Sequence, residues 1–235
     1  MKNQTTSRRV EFTVKPDYPI WLLGDSPSIN YPDLPPLDPR HPTRHTIWTP
    51  ILDVIQRHLF RNGCRLNDSE LYIRNAVSDY KHKLEKPKEL GKEIAEFQAN
   101  QVKEMKKLRE LLNRPKKPLL VLCFGQFAFE FARRAQEGKI EILLPKDWKS
   151  LKIPKLSKEF EARIGNVQLG NATLIPLLHA STALSFQDAS RDFSGGGGNY
   201  FEYVGKEITD KLILHCTEFR LNELLLRVNQ EGVAS

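Results

Sequence analysis

Residues 118–125 read Pro-Leu-Leu-Val-Leu-Cys-Phe-Gly, and this stretch decides the fold. From Leu119 to Phe124 every side chain is apolar, with no polar residue alternating between them. A half-wet strand would alternate; an unbroken run of this length is a strand buried on both faces. Gly125 closes the run, and residues 126–136 continue with a helical pattern. A doubly buried strand that turns at a glycine into a helix is part of a βαβ unit. The expected fold class is therefore α/β, a three-layer αβα arrangement around a central, mainly parallel sheet.

Working outward, residues 18–23 (Tyr-Pro-Ile-Trp-Leu-Leu) form a second apolar run, halted at Gly24. Residues 71–73 read as another strand, ending in Arg74-Asn75, residues 139–144 as a further one, and residues 172–178 (Ala-Thr-Leu-Ile-Pro-Leu-Leu) as the last, ending in His179. Between them lie helical patterns. One starts at Thr49-Pro50 and places Ile51, Leu52, Ile55, Leu59 and Phe60 on one face. A long charged one over residues 88–112 carries Ile94, Phe97, Met105, Leu108 and Leu111 as its apolar stripe and reads as a solvated surface helix. Residues 200–228 close the chain as one helix or two. Residues 25–50 hold Pro27, Pro32, Pro35, Pro36, Pro39, Pro42 and Pro50, which forbid regular structure and predict a long, stiff loop. No internal repeat or linker interrupts the pattern, so residues 1–235 are expected to form a single domain.

Composition narrows the function classes. Hydrophobic residues make up 40% and charged residues 28% of the chain, which sets the disordered class aside. No apolar run is long enough to cross a bilayer, and residues 1–10 lack the apolar core of a secretory signal, so a cytoplasmic protein is expected. Cys64, Cys123 and Cys216 are odd in number and widely spaced, which predicts neither a disulfide framework nor a metal site. No cofactor is expected, and the chain reads as a monomer. The formal net charge of +7 favours a polyanionic partner, with DNA the foremost candidate.

Catalytic residues in open parallel sheets gather at the carboxyl ends of the strands. Three polar groups stand there: Asp25 after the first strand, Asn75 after the second and His179 after the last. A carboxylate can stabilise a developing cation or orient water, an imidazole can donate to a developing anion, and a carboxamide can read a base edge. Each residue has a plainer use as well: Asp25 as a cap, Asn75 in a turn, His179 as a satisfied strand-edge histidine.

Gly24-Asp25-Ser26-Pro27-Ser28 resembles the first motif of uracil-DNA glycosylases, written G-E-x-P-G or G-Q-D-P-Y-H in different branches. Tyr72-Ile73-Arg74-Asn75-Ala76-Val77 is similar to the strand carrying that family's base-reading asparagine. The strand at 119–125 with the helix after it resembles the family's central strand and glycine-led helix. His179-Ala180-Ser181-Thr182 resembles the second motif, H-P-S-P or H-P-S-x. The blocks run in family order across most of the chain.

The resemblance implies a uracil-DNA glycosylase-like fold and a glycosylase that flips its target nucleotide out of DNA. Cleavage would pass through an oxocarbenium-like sugar with an anionic departing base. Asp25 and His179 would be the catalytic residues, and Asn75 would read the base. Backbone N–H groups near Ser26 and Ser28 would hold the base or a phosphate, and Tyr31, His45 or Trp48 would stack on the base. Leu184 or Phe186 would wedge into the emptied stack, with Ser181 and Arg191 on the DNA backbone. Three departures from the family stand out. Ala180 replaces the usual proline of the second motif. Ser28 replaces the bulky tyrosine that excludes 5-substituted pyrimidines, and no four-cysteine iron–sulfur set is present. The proline-rich loop of residues 29–50 and the glycine run of residues 195–198 are also unusual for the family, and together with Ser28 they suit a roomier pocket, one able to take a hypermodified cytosine of phage DNA.

Two other readings compete. Gly24-Asp25-Ser26 also matches the first block of GDS-type esterases, with Ser26 as nucleophile. Asp210 and His215 are then the only base pair available near the C-terminus, at the wrong spacing. The third reading is a DNA-binding protein of the same fold without catalysis.

Overall fold

The computed structural model describes residues 20–31, 34, 49–66, 71–114, 118–168, 170–179, 182–183, 193, 199–216 and 225–227. Four parallel strands form the central sheet: β1 (Ile20–Gly24), β3 (Leu71–Asn75), β4 (Leu120–Phe124) and β5 (Thr173–Leu177), in the order β3-β1-β4-β5. The unbroken apolar runs sit where they must. Every residue of β1 and β4, the two inner strands, is buried, whereas β3 at the edge is half-buried throughout. Pro176 lies in β5, paired opposite Cys123. That strand has a described neighbour on one side only, where a missing N–H is tolerated.

Helices cover the sheet in a three-layer α/β arrangement. Among the described residues they include α1 (Thr49–Arg61), α2 (Ile94–Leu112), α3 (Gln126–Glu137), α4 (Pro145–Trp148), α5 (Ile153–Gly165) and α6 (Tyr200–Cys216). Helix α1 packs along α6, and α2 packs along α3. A side chain at Gly205 of α6 would collide with Val54 of α1, so the glycine sets how closely those two helices approach. A short antiparallel pair, β2 (Cys64–Leu66) with β6 (Leu225–Arg227), stands apart from the main sheet.

Five expectations are corrected. Residues 139–144 do not form a strand. The chain leaves α3 through Gly138 in the left-handed region (φ +76°), and the Leu143 main chain bonds the side chain of buried Gln101 instead of a neighbouring strand. The long helix begins at Ile94 rather than residue 88, because Gly91 has φ +54° and residues 87–93 make two short 3-10 turns. It is also not wholly solvated: Phe97, Gln101, Met105, Leu108, Leu111 and Leu112 are buried. The C-terminal helical pattern does not run through to residue 228: the helix is described over Tyr200–Cys216, but Leu225–Arg227 is a strand, since backbone pairing with the distant β2 overrides local helix propensity. Phe60, expected on the buried face of α1, is 55% exposed, while Ile51, Val54, Ile55 and Leu59 face the core. Helix α5 has no counterpart in the sequence reading, although Leu156, Phe160 and Ile164 recur at helical spacing and all are buried.

Candidate functional site

Strand β1 delivers Asp25 at its carboxyl end. The turn is fixed by two bonds from the chain beyond β3, Ala76 N–H to Gly24 O at 2.7 Å and Val77 N–H to Asp25 O at 3.3 Å. The Asp25 side chain is buried, at 9% exposure, and both its oxygens are engaged. Oδ1 accepts the main-chain N–H of Ala128, in the first turn of α3, at 2.9 Å. Oδ2 lies 3.0 Å from the Lys83 ammonium. Helix α3 has no side-chain cap of its own, because the residue at its start is Gly125. Asp25 supplies the cap from another strand, satisfying an N–H the helix cannot satisfy itself and meeting the positive end of its dipole. Gly125 is required for this approach. Its φ is +109°, and a Cβ there would stand 2.7 Å from Asp25 Oδ1.

Lys83 comes from a short 3-10 helix, Tyr80–Lys83, beyond β3. Its side chain is 15% exposed and lies within 3.7 Å of Glu85 as well as against Asp25. The ammonium stands 5.0 Å from the centre of the Trp148 ring and 5.7 Å from that of Phe127. An ion pair this deep persists because both partners are compensated. The helix start and Lys83 flank the carboxylate; a carboxylate and two ring faces surround the ammonium.

His179 follows β5, two residues past Leu177. Its carbonyl accepts from Thr182 and Ala183 at 2.9 and 2.8 Å. The preceding residue is anchored too: Leu178 N–H donates to the buried Tyr200 hydroxyl at 2.9 Å. Burial pushes the Tyr200 phenol well above its ordinary range, so it stays protonated.

Asp25, Lys83, Gln126, Trp148 and His179 line one cleft of about 750 Å³, walled on its apolar side by α5 through Ile153, Pro154 and Leu156. Lys152 and Glu85 also contribute to it. The cleft opens at the carboxyl ends of β1, β4 and β5. Gln126 follows β4 as Asp25 follows β1, and its Nε2 donates to Leu151 O. Helix α4 brings Trp148, whose ring is buried and carries a second ammonium, that of Lys149, 5.2 Å from its centre. The indole Nε1 makes no hydrogen bond among the described residues.

The other residues singled out in the sequence fall as follows. Asn75 ends β3, which pairs with β1 on the side away from β4, and it is not among the residues lining the cleft. Ser26, Ser28 and Tyr31 belong to the turn past Asp25 and do not line it either. There Ser28 O accepts Tyr31 N–H at 3.2 Å, and the Tyr31 side chain is 41% exposed. His45, Trp48, Ser181, Leu184, Phe186 and Arg191 lie outside the described residues. For the esterase reading, Asp210 is tied to Lys206 at 2.7 Å on the exposed side of α6, and Ser26 is away from the cleft lining. Several cleft residues escaped the sequence reading, among them Gln126, Lys83 and Trp148. Gln126 follows a strand end and was open to the same rule that found Asp25; Lys83 and Trp148 carried no comparable signal.

Cys123 in β4 is a buried free thiol whose pKa is driven far up by burial, which fits an inert core residue. Among the described residues no cluster of histidine, cysteine and carboxylates is placed to hold a metal ion. Among the same residues no helix is long and apolar enough to cross a membrane. The chain matches no protein-family model and no curated protein.

Proposed function

We propose that the protein is a DNA glycosylase that hydrolyses the N-glycosidic bond of a flipped uracil or 5-modified pyrimidine, a hypermodified phage cytosine included. The observation that carries the reading is that Asp25 and His179, from two different strands, face the same cleft. The resemblance of their flanking motifs to the uracil-DNA glycosylases supplies the reaction class.

The site chemistry supports that class. Asp25, paired with Lys83 and capped onto α3, is placed to stabilise a sugar cation or to orient a water. His179 lines the same cleft, and its imidazole would donate to the departing base oxygen as it gains charge. Gln126, rather than Asn75, is the carboxamide in reach of a bound base. The apolar wall of α5 would enclose the flipped nucleotide. The surplus of positive charge over the chain suits DNA as the partner, and a cytoplasmic setting and antiviral role belong to the same proposal.

The test incubates the purified chain with DNAs carrying uracil and various 5-modified cytosines, then measures free base and alkali-labile sites. His179→Ala is expected to slow base release by about 10²–10³-fold, as loss of an oxyanion donor does. Salt-sensitive DNA binding without base release from any of the DNAs would leave only the non-catalytic binding reading.

A further inference from the structure

Lys83 is held more strictly than a phosphate-binding surface lysine requires. The next residue, Leu84, is fully buried and occupies the left-handed region at φ +52°, ψ +37°, an unfavourable conformation for leucine. Asp79 caps the preceding turn by accepting Lys81 N–H at 2.8 Å. Glu104 of α2 accepts from Ser78 and lies 3.1 Å from His82 Nδ1. Buried Gln101 donates to His82 O at 2.8 Å. All of this fixes a side chain whose flexible stem normally runs out to water. Its amine nitrogen is instead set beside a carboxylate, against two aromatic rings, in a cleft. An amine with an adjacent proton acceptor and little surrounding water is the arrangement that adds to a carbonyl.

We infer that Lys83 forms a Schiff base with the sugar of an abasic site, so that the cleft also cuts the DNA strand. The inference rests on the glycosylase reading, because removal of a base leaves a sugar that opens to an aldehyde at C1′. The Lys83 ammonium gives a proton to Asp25 Oδ2, and the amine nitrogen bonds to C1′. The resulting carbinolamine takes that proton back on its hydroxyl, which leaves as water, and the C–N bond becomes an iminium. Asp25, again a carboxylate, removes a C2′ proton. The freed electron pair moves through the enamine to expel the 3′-phosphate with the C3′–O bonding electrons, and the departing phosphate takes the C2′ proton from Asp25, which is a carboxylate once more. Water then hydrolyses the conjugated iminium, releasing an unsaturated aldehyde and returning Lys83 to its ammonium form. Water is the only co-reactant, and nothing is oxidised or reduced.

The experiment uses the full chain and an oligonucleotide carrying one preformed abasic site, with sodium cyanoborohydride to reduce the imine to a stable amine. The expected result is a covalent protein–DNA adduct with the wild type and with Lys206→Arg on the outer helix. The adduct falls to the no-reductant level with Lys83→Arg, which keeps a cation opposite Asp25. Without reductant the wild type cuts the strand and leaves a 3′ unsaturated aldehyde. Mass mapping of the adduct places it on Lys83, a readout that stands even where the variant folds poorly. An adduct mapped to other lysines, or neither adduct nor cut strand from the wild type, overturns the inference. Base release is measured separately on DNA with intact modified bases. Base release with no adduct removes the lyase step alone; adduct and cutting with no base release removes the glycosylase reading and leaves the lyase.

Discussion

Asp25 Oδ1 accepts the main-chain N–H of Ala128 at 2.9 Å across 103 residues of sequence, while the other oxygen of the same carboxylate meets Lys83. One side chain thus caps a helix, neutralises a mostly buried ammonium and faces the cleft. Substitutions here act on stability and on chemistry together, and the two effects have to be separated by the choice of variant.

Asp25→Ala leaves Lys83 with Glu85 as its nearest carboxylate, at 3.7 Å, and leaves the Ala128 N–H without its acceptor. The expected loss is about 2–4 kcal/mol, from an uncompensated charge and a missing cap. Asp25→Asn keeps an acceptor for that N–H and should lose only about 1–2 kcal/mol. Urea unfolding followed by tryptophan fluorescence distinguishes them, and equal losses would count against the capping role. Asp25→Asn is therefore the variant for activity work.

Gly125→Ala should destabilise the protein by about 1–3 kcal/mol, because the new Cβ meets Asp25 Oδ1 and the backbone stays at positive φ. Part of that cost is the collision alone. In an Asp25→Ala background the same substitution should cost measurably less, a non-additivity read from a double-mutant cycle. Simple additivity would mean that the close approach is relaxed at no cost.

Gln101→Leu removes the side chain that bonds Leu143 N–H at 2.7 Å, Leu143 O at 3.2 Å and His82 O at 2.8 Å. Buried main-chain groups are then left unsatisfied, at an expected cost of about 2–4 kcal/mol. Amide exchange at Leu143 should accelerate by more than that at Leu122 in the sheet. Unchanged protection of Leu143 would show that the clamp is dispensable.

Tyr200→Phe removes the acceptor of Leu178 N–H and should cost about 1–3 kcal/mol. The pH profile carries a second signature. The folded phenol is pushed above its ordinary value of 10, so above that pH the unfolded chain loses the proton first and wild-type stability falls as pH rises. The phenylalanine variant lacks this component, and its profile should be flatter in alkali. Thermal unfolding from pH 8 to 11 checks both points.

The layered fold was legible because Leu119–Phe124 and Ile20–Leu23 are apolar without alternation, the pattern of a strand buried on both faces. Residues 139–144 misled because Ile140, Ile142, Leu143 and Leu144 look like a strand, yet their backbone needs are met in part by Gln101, a polar residue on a helix. Leu225–Arg227 was unreadable for a different reason, since a three-residue strand has no period and exists through its pairing with β2. At the site, Asp25 and His179 could be found because strand ends mark the functional edge of a parallel sheet. The lateral order of the strands could not. That order puts Asn75 beyond β1 and brings Gln126 between the other two. Lys83 depends on a turn clamped by α2, which no local pattern encodes.

The bonds around Asp25 join chain segments 58 and 103 residues away. Contacts so distant in sequence form late, after most of the loop-closure entropy has been surrendered. The cleft is therefore expected to form as a unit, since β1, the Lys83 turn and α3 must all dock before Asp25 has its partners. Any activity it supports should vanish in step with cooperative unfolding, so that a half-folded chain is silent rather than promiscuous.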